Sequence, residues 1–117
     1  TDMSSDEKHR GEMKGFGNNQ MLACDPATRE VRRFLTGPVG CEITGIALTP
    51  DGRTMFVNIQ HPGEPLTPRN DSLEVPNLHS DPAQPRRYSN WPDFKPDGRP
   101  RSATVAIRRK DGGLIGT

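Results

Sequence analysis

Glu42 is the residue whose place in the sequence raises a chemical question. It stands in GCEITGIALTPDGRTMFVNIQH (residues 40–61), directly after Cys41 and at the start of an apolar run that should enter a core. One interpretation is structural: the carboxylate caps exposed amides in the preceding turn or pairs with an arginine. The other is metal ligation, because hard cations such as Ca²⁺ are bound by oxygen donors.

Other polar residues are candidates for the same chemistry. His61, in IQHPGE, could serve as a metal ligand, a general acid or a packed turn residue. Asp2 is a further candidate metal ligand. Asn18 and Asn19 can either bind a cation or satisfy amides of a loop.

Several functional classes have no support in the sequence. It contains no GxSxG, P-loop or GxGxxG motif, so acyl transfer and nucleotide-binding loops are not indicated. With 16 Lys and Arg against 15 Asp and Glu, the net charge is +1, and a nucleic-acid partner is not expected. No apolar run is long enough to cross a bilayer. Cys24 and Cys41 match no zinc or CxxC spacing, which favours free, packed thiols over a disulfide.

Two β-hairpins must position these residues. The first places strands Gln20–Cys24 and Glu30–Leu35 around DPAT, where Asp and Pro favour a turn. The second places strands Ile43–Leu48 and Thr54–Ile59 around Asp51-Gly52, a strong hairpin signal because Gly adopts positive φ without steric cost. No segment has the periodicity of an amphipathic helix.

The rest of the chain is mostly irregular in this interpretation. Residues 1–14 are polar and read as a loop that follows a truncated upstream region. Residues 62–100 hold nine of the 12 prolines and form a long loop. A fifth strand follows at Ser102–Arg108, with a short stub at Leu114-Ile115.

The fold class predicted is all-β, an antiparallel meander that forms part of a β-propeller. Blades of a propeller are built from four antiparallel strands around a central channel. The first hairpin would supply the two outer strands of one blade, and the next three strands would be the first three of another, beginning with Ile43–Leu48 at the channel. A fragment of a β-sandwich is the alternative.

A meander of this kind gathers particular residues on one face. The starts of strands one and three of a blade lie beside the ends of strands two and four. The residues expected together on that face are Glu42, Gln60, His61, Arg101, Asn18, Asn19 and Asp2. Asp25 and Asp51 should lie in turns at the opposite face.

The composition predicts a thin core. Only 30% of the 117 residues are hydrophobic, and 12 are Gly and 12 Pro. A small chain buries a low fraction of its surface, so little is available to offset the entropy of folding. Strands that would meet a neighbouring blade also leave open edges, and we expect the chain to self-associate as a dimer or higher oligomer.

Four segments resemble a known family. They are GNNQMLACDPATREVRRFLTGP, CEITGIALTPDGRTMFVNIQHPGE, SNWPD and RPRSATVAIRRKDGG, and together they are similar to the carboxy-terminal end of the PhoX-type bacterial alkaline phosphatases. The resemblance spans roughly residues 15–116. It implies that residues 15–117 are the carboxy-terminal blades, about one and a half of a six-bladed propeller.

The resemblance also implies an activity and a location. Members of the family are exported in folded form by the twin-arginine route, which implies a periplasmic or secreted enzyme. They hold calcium and iron in the channel, and phosphomonoesters bind to those metals. The acidic metal-binding role falls on Glu42, whereas Cys41 is not assigned the thiolate-ligand role.

Three hypotheses follow. The first is the carboxy-terminal part of a metal-dependent phosphatase, inactive by itself because ligands from other blades are missing. The second is a non-enzymatic β-propeller binding domain with a calcium-only or empty channel, and the third is a small stand-alone β protein. For the isolated chain we expect no tightly bound metal and an exposed or arginine-paired Glu42.

Overall fold

Five antiparallel strands form two sheets in the computed structural model, which describes residues 18–64 and 83–116. Strands β1 and β2 make a two-stranded sheet, and β3, β4 and β5 make a three-stranded sheet in that order. The strands are β1 (Gln20–Cys24), β2 (Val31–Thr36), β3 (Glu42–Leu48), β4 (Thr54–Gln60) and β5 (Ala103–Arg108). The all-β prediction is confirmed, and each strand agrees with its predicted bounds to within one residue.

Helices are absent from the two described ranges. Those ranges accordingly contain no helix with the length and apolar character needed to span a membrane. Between β4 and β5, residues 62–64 and 83–100 form turns and irregular backbone. The loop predicted for residues 1–14 lies outside the described residues.

The predicted strand stub at Leu114-Ile115 is wrong. The two residues lie in irregular backbone and a turn, between Gly112 and Gly116, which both have positive φ. These glycines leave too short an extended stretch to pair as a strand. The segment is instead held against the β3–β4 turn, where Ile115 N–H donates to Gly52 O at 2.9 Å and Arg53 Nη1 donates to Gly112 O.

The β1–β2 turn is organised by the side chain of Asp25. Its Oδ1 accepts hydrogen bonds from the backbone N–H groups of Ala27, at 2.8 Å, and Thr28, at 3.4 Å. The Arg29 N–H also donates to Asp25 O at 2.8 Å. Aspartate favours turns because its side chain can accept such local bonds.

The β3–β4 turn uses the same device at Asp51. Asp51 Oδ1 accepts from the Thr49 hydroxyl at 2.5 Å and from Arg53 N–H at 3.1 Å. Gly52 has a φ of +66°, as the Asp-Gly signal predicted. Thr49 N–H donates to Thr54 O at 2.9 Å and closes the hairpin.

The core lies on one face of the three-stranded sheet. Along β4, Met55, Val57 and Ile59 are buried while Phe56 and Asn58 are exposed, as expected when successive side chains point to opposite faces. Cys41 and Ile43 complete the buried cluster. Partly buried side chains cover it: Met21, Leu35, Trp91, Val105, Ile107 and Ile115. The thin core expected from composition is what the described residues show.

Gly40, in the connection between β2 and β3, is pressed against the backbone that follows β4. Its φ is +69°, and a Cβ added there would lie 2.5 Å from Glu64 O. The Gly63 N–H donates to Val39 O at 2.7 Å beside it. The two connections therefore touch through backbone atoms, which leaves no space for a side chain.

We expect Gly40→Ala to destabilise the fold more than Gly112→Ala. Gly112 has a similar φ of +72°, but a Cβ there would meet nothing within 4 Å. The left-handed conformation costs either alanine roughly 1–2 kcal/mol, and overpacking at Gly40 adds about 1–3 kcal/mol. Chemical unfolding of the two variants measures the difference, and equal destabilisation would contradict the close approach.

The turn carboxylates should make folding sensitive to acid. Hydrogen bonds from Ala27 N–H to Asp25, and from the Thr49 hydroxyl to Asp51, hold the pKa of each carboxyl below its ordinary value of 3.8. A carboxyl with a lower pKa in the folded state stabilises it fully above the unfolded value, and this contribution is lost as the pH falls through the folded value.

The test is the double variant D25N/D51N, whose amide oxygens accept the same bonds at every pH. On acidification from about pH 5 to about pH 2.5, its thermal midpoint should fall less than that of the wild type. Equal falls would mean that other groups set the acid sensitivity.

Candidate functional site

Glu42 opens β3 and pairs with Gln60, the last residue of β4. Its neighbours in sequence, Cys41 and Ile43, are both buried, so the alternation of a strand turns the Glu42 side chain away from the core. Twenty per cent of that side chain is exposed. The carboxylate is thus partly shielded from water at the end of the sheet.

Two asparagines fix the connection that leads into Glu42. Asn18 Nδ2 donates to Gly37 O at 3.1 Å, and Asn19 Nδ2 donates to Cys41 O at 2.7 Å. The Gly37 N–H in turn donates to Asn19 O at 2.8 Å. The Nδ2 groups of both asparagines therefore satisfy carbonyls of the connection, which is one of the two uses left open for these residues.

Asn19 also carries an unusual oxygen. The residue is 2% exposed, and among the described residues its Oδ1 has no hydrogen-bond partner. Buried side-chain oxygens nearly always have a partner. At the start of β3, a buried oxygen acceptor therefore lacks a hydrogen-bond donor among the described residues.

His61 lies between two carboxylates. Its Nε2 is 3.3 Å from Glu42 Oε2, and its Nδ1 is 2.9 Å from Glu64 Oε2. Nδ1 is also 3.3 Å from Gly40 O. The expectation of an exposed or arginine-paired Glu42 is wrong: the partner is a histidine, because the Glu42–Gln60 register places the next residue, His61, beside the carboxylate.

Arg101, which was expected on this face, is engaged elsewhere. Arg101 forms a two-pronged ion pair with Asp93, in which Nη2 donates to Oδ1 at 2.9 Å. This guanidinium holds the pKa of Asp93 below its usual range. The next residue, Ser102, accepts a hydrogen bond from His61 N–H at its Oγ, at 3.0 Å. Arg101 therefore lies near the site without facing Glu42.

The predicted gathering on one face can be followed for most of its members. Glu42, Gln60, His61 and the Asn18-Asn19 pair meet around the start of β3. Asp25 and Asp51 lie in turns at the far ends of their strands, as expected. Asp2 lies outside the described residues.

Sequence reasoning missed Glu64. Its contact with His61 closes a turn across Pro62-Gly63, in which Glu64 N–H also donates to His61 O at 3.1 Å. The signal available in the sequence was a histidine and a glutamate three positions apart around Pro-Gly. That spacing permits the contact without requiring it.

The cysteines do not form a disulfide with each other. Cys41 is buried in the core cluster, as expected for a packed thiol, but Cys24 is exposed. The prediction of packing is wrong for Cys24. This residue ends β1, and the described residues leave Leu22, Ala23 and Cys24 of that strand exposed in the two-stranded sheet.

The donor atoms at the site fit part of a hard-cation site. Within residues 18–64 and 83–116, no group of three or more His, Cys, Asp or Glu side chains is arranged to hold a metal ion. Calcium requires six to eight oxygens. Glu42 supplies a partly buried carboxylate, whose Oε1 accepts no hydrogen bond from the described residues. Further ligands would have to come from other residues.

The chain is similar to known phosphatases. A family model described as alkaline phosphatase PhoX matches residues 1–63. Among curated proteins, no sequence matches. The solved structure of Pseudomonas fluorescens PhoX in complex with vanadate, a transition state analogue, is 44% identical, with a TM-score of 0.69. The match covers 94% of this chain and 15% of that chain.

These comparisons confirm the resemblance inferred from the four sequence segments. The family model spans more than half of the chain, and the likeness to the solved phosphatase extends over nearly all of it. The chain belongs to the PhoX alkaline phosphatase family.

Proposed function

We propose that the chain is the carboxy-terminal part of a secreted or periplasmic, metal-dependent alkaline phosphatase that hydrolyses phosphomonoesters. The observation that carries the proposal is the 44% identity to a phosphatase that binds vanadate as a transition state analogue. A site that binds such an analogue is complementary to the transition state of the reaction. The chain corresponds to 15% of that protein, so the activity belongs to the longer protein.

The proposed architecture is about one and a half blades of a six-bladed propeller. Two antiparallel hairpins follow each other in the chain, and the second continues into a three-stranded sheet, as consecutive blades require. In this arrangement β3 is the innermost strand and Glu42 lies at the mouth of the channel.

Glu42 would then hold a cation of the channel, with calcium and iron proposed for the complete enzyme. Such cations polarise the phosphoryl group and neutralise the charge that develops on it. The contribution of this chain is a carboxylate held at the start of β3 and shielded to one-fifth exposure. Asp2 and His61 stay predictions as further ligands.

The same geometry explains why the isolated chain should be inactive. Its described residues offer the Glu42 carboxylate, since Glu64 contacts His61 Nδ1 instead, whereas a calcium ion requires six to eight oxygens. Tight metal binding and turnover are therefore expected only when the other blades are present.

Glu42→Gln in the longer enzyme should abolish most of the activity. The amide keeps the shape of the side chain and removes the charge, so metal content should fall and the phosphatase rate should drop roughly 100-fold or more. Glu30→Gln is the control, because Glu30 is an exposed carboxylate paired with Arg32 beside the two-stranded sheet, which does not contain Glu42. The measurements are the rate on a phosphomonoester and the metal content of both variants.

Near-wild-type rate and metal content for Glu42→Gln would return this residue to a structural role. If the longer wild-type protein itself showed no phosphatase activity with calcium and iron supplied, the non-enzymatic binding domain would be favoured instead.

Strand β3 carries an apolar surface that the described residues leave uncovered. Ile46 and Leu48 pair with Val57 and Met55 across the sheet and therefore share the face on which those two are buried. Yet Ile46 is 61% and Leu48 is 55% exposed. The apolar face thus extends beyond what the described residues cover, and we propose that other blades cover it in the longer enzyme and that copies of the chain cover it in isolation.

The isolated chain should therefore form a dimer or higher oligomer in solution. Ile46→Lys should weaken that association by at least about tenfold, because it places a charge on the uncovered face. Ala47→Lys adds the same charge to the same strand on the opposite face and should change association less. Light scattering across a concentration series measures both, and a wild-type chain that stays monomeric at high concentration would contradict the proposal.

A further inference from the structure

We propose that His61 is a positioning residue that orients the Glu42 carboxylate, and not a metal ligand itself. The inference rests on the proposed function, in which Glu42 holds a cation. His61 Nε2 lies 3.3 Å from Glu42 Oε2. A hydrogen on Nε2 donates to that oxygen, which leaves Oε1 as the oxygen available to a cation.

The imidazole is held from its other side as well. Nδ1 is 2.9 Å from Glu64 Oε2 and 3.3 Å from Gly40 O. Both ring nitrogens therefore face acceptor oxygens of the protein, and the ring donates to both sides when each nitrogen carries a hydrogen. A histidine that binds a metal must aim a nitrogen lone pair at the ion, and this ring has no nitrogen directed elsewhere.

The backbone of His61 is fixed in an unusual conformation. Its φ is +36°, which is uncommon for a residue other than glycine. His61 N–H donates to Ser102 Oγ at 3.0 Å, and Glu64 N–H donates to His61 O at 3.1 Å. Residues held in sparsely populated conformations by several contacts occur preferentially at functional sites, where they aim a side chain.

Supporting residues of this kind have measurable effects on metal binding. Carboxylates that bind metals are usually hydrogen-bonded on their other oxygen, and loss of such a partner weakens metal affinity by roughly 10–100-fold. His61 is 38% exposed and Glu42 is 20% exposed, so their contact lies at the edge of the site, where a ring anchored by Glu64 can limit rotation of the carboxylate.

Two amide substitutions of His61 distinguish the role of Nε2 from that of Nδ1. The amide nitrogen of asparagine is bonded to Cγ, like Nδ1 of histidine, whereas the amide nitrogen of glutamine lies one bond further out, like Nε2. In the longer enzyme, His61→Gln should therefore keep the contact with Glu42 and retain calcium affinity within about threefold. His61→Asn should lose that contact and bind calcium about 10–100-fold more weakly.

A purely structural role for His61 predicts the opposite ranking. Asparagine tolerates positive φ better than glutamine does, so His61→Asn should then be the milder substitution. Calorimetric titration of the metal-free protein with calcium gives the affinities, metal analysis gives the iron content, and thermal unfolding gives the stability. The inference requires His61→Gln to exceed His61→Asn in calcium affinity.

The Glu42→Gln variant distinguishes the possible failures. If it binds calcium like the wild type, the proposed function fails at this residue and the inference fails with it. If Glu42→Gln loses calcium while His61→Asn retains wild-type affinity, the inference alone is overturned. Equal, large losses in both His61 variants would make His61 a ligand and also overturn it.

Glu64→Ala provides the test if a His61 variant does not fold. This variant leaves His61 and its backbone intact and removes the carboxylate that fixes Nδ1. Calcium affinity should fall severalfold while the thermal midpoint changes little. Wild-type calcium affinity would overturn the inference.

Discussion

The geometry of the candidate site depends on where β3 begins, and a buried hydrogen bond fixes that point. Asn19 Nδ2 donates to Cys41 O at 2.7 Å in surroundings that leave Asn19 only 2% exposed. Leaving a buried carbonyl without its donor costs roughly 1–3 kcal/mol. That is a large amount for a thin core, so this bond holds Cys41 inside and the alternation of the strand then carries Glu42 outward.

Local turn chemistry explains why most of the fold could be predicted from the sequence. Asp25 and Asp51 each accept hydrogen bonds from residues within three positions, and Gly52 adopts the positive φ that its turn requires. These interactions need no information from distant parts of the chain. Once the second hairpin closes, its register brings Glu42 opposite Gln60, and the meeting of Glu42 with His61 follows.

Several features that sequence reasoning missed depend on contacts between distant segments, although the contact of Glu64 with His61 is local. Asn19 is buried where it contacts Cys41, 22 positions later in the chain. The exposure of Cys24 depends on whether another segment covers the last three residues of β1. The site itself was predicted only as a gathering on one face, without Glu64 and with the wrong partner for Glu42. The alternation of side chains along a strand predicts the face on which Glu42 lies. Its contact with His61 depends in addition on the turn that follows β4.

The described residues thus include the contacts that orient Glu42, but only part of the ligands that a metal ion would need. The ring of His61 is held by Glu64 and Gly40 O, and its backbone N–H by the Ser102 hydroxyl, all within the described residues. No group of three or more His, Cys, Asp or Glu side chains in those residues is arranged to hold a metal ion, so further ligands for a cation on Glu42 would come from elsewhere. If the proposed function holds, this segment contributes an oriented carboxylate whose geometry is set locally, while its affinity for metal depends on the other blades. In this arrangement, local packing determines the orientation of the Glu42 carboxylate, and the assembled channel determines how tightly the metal binds.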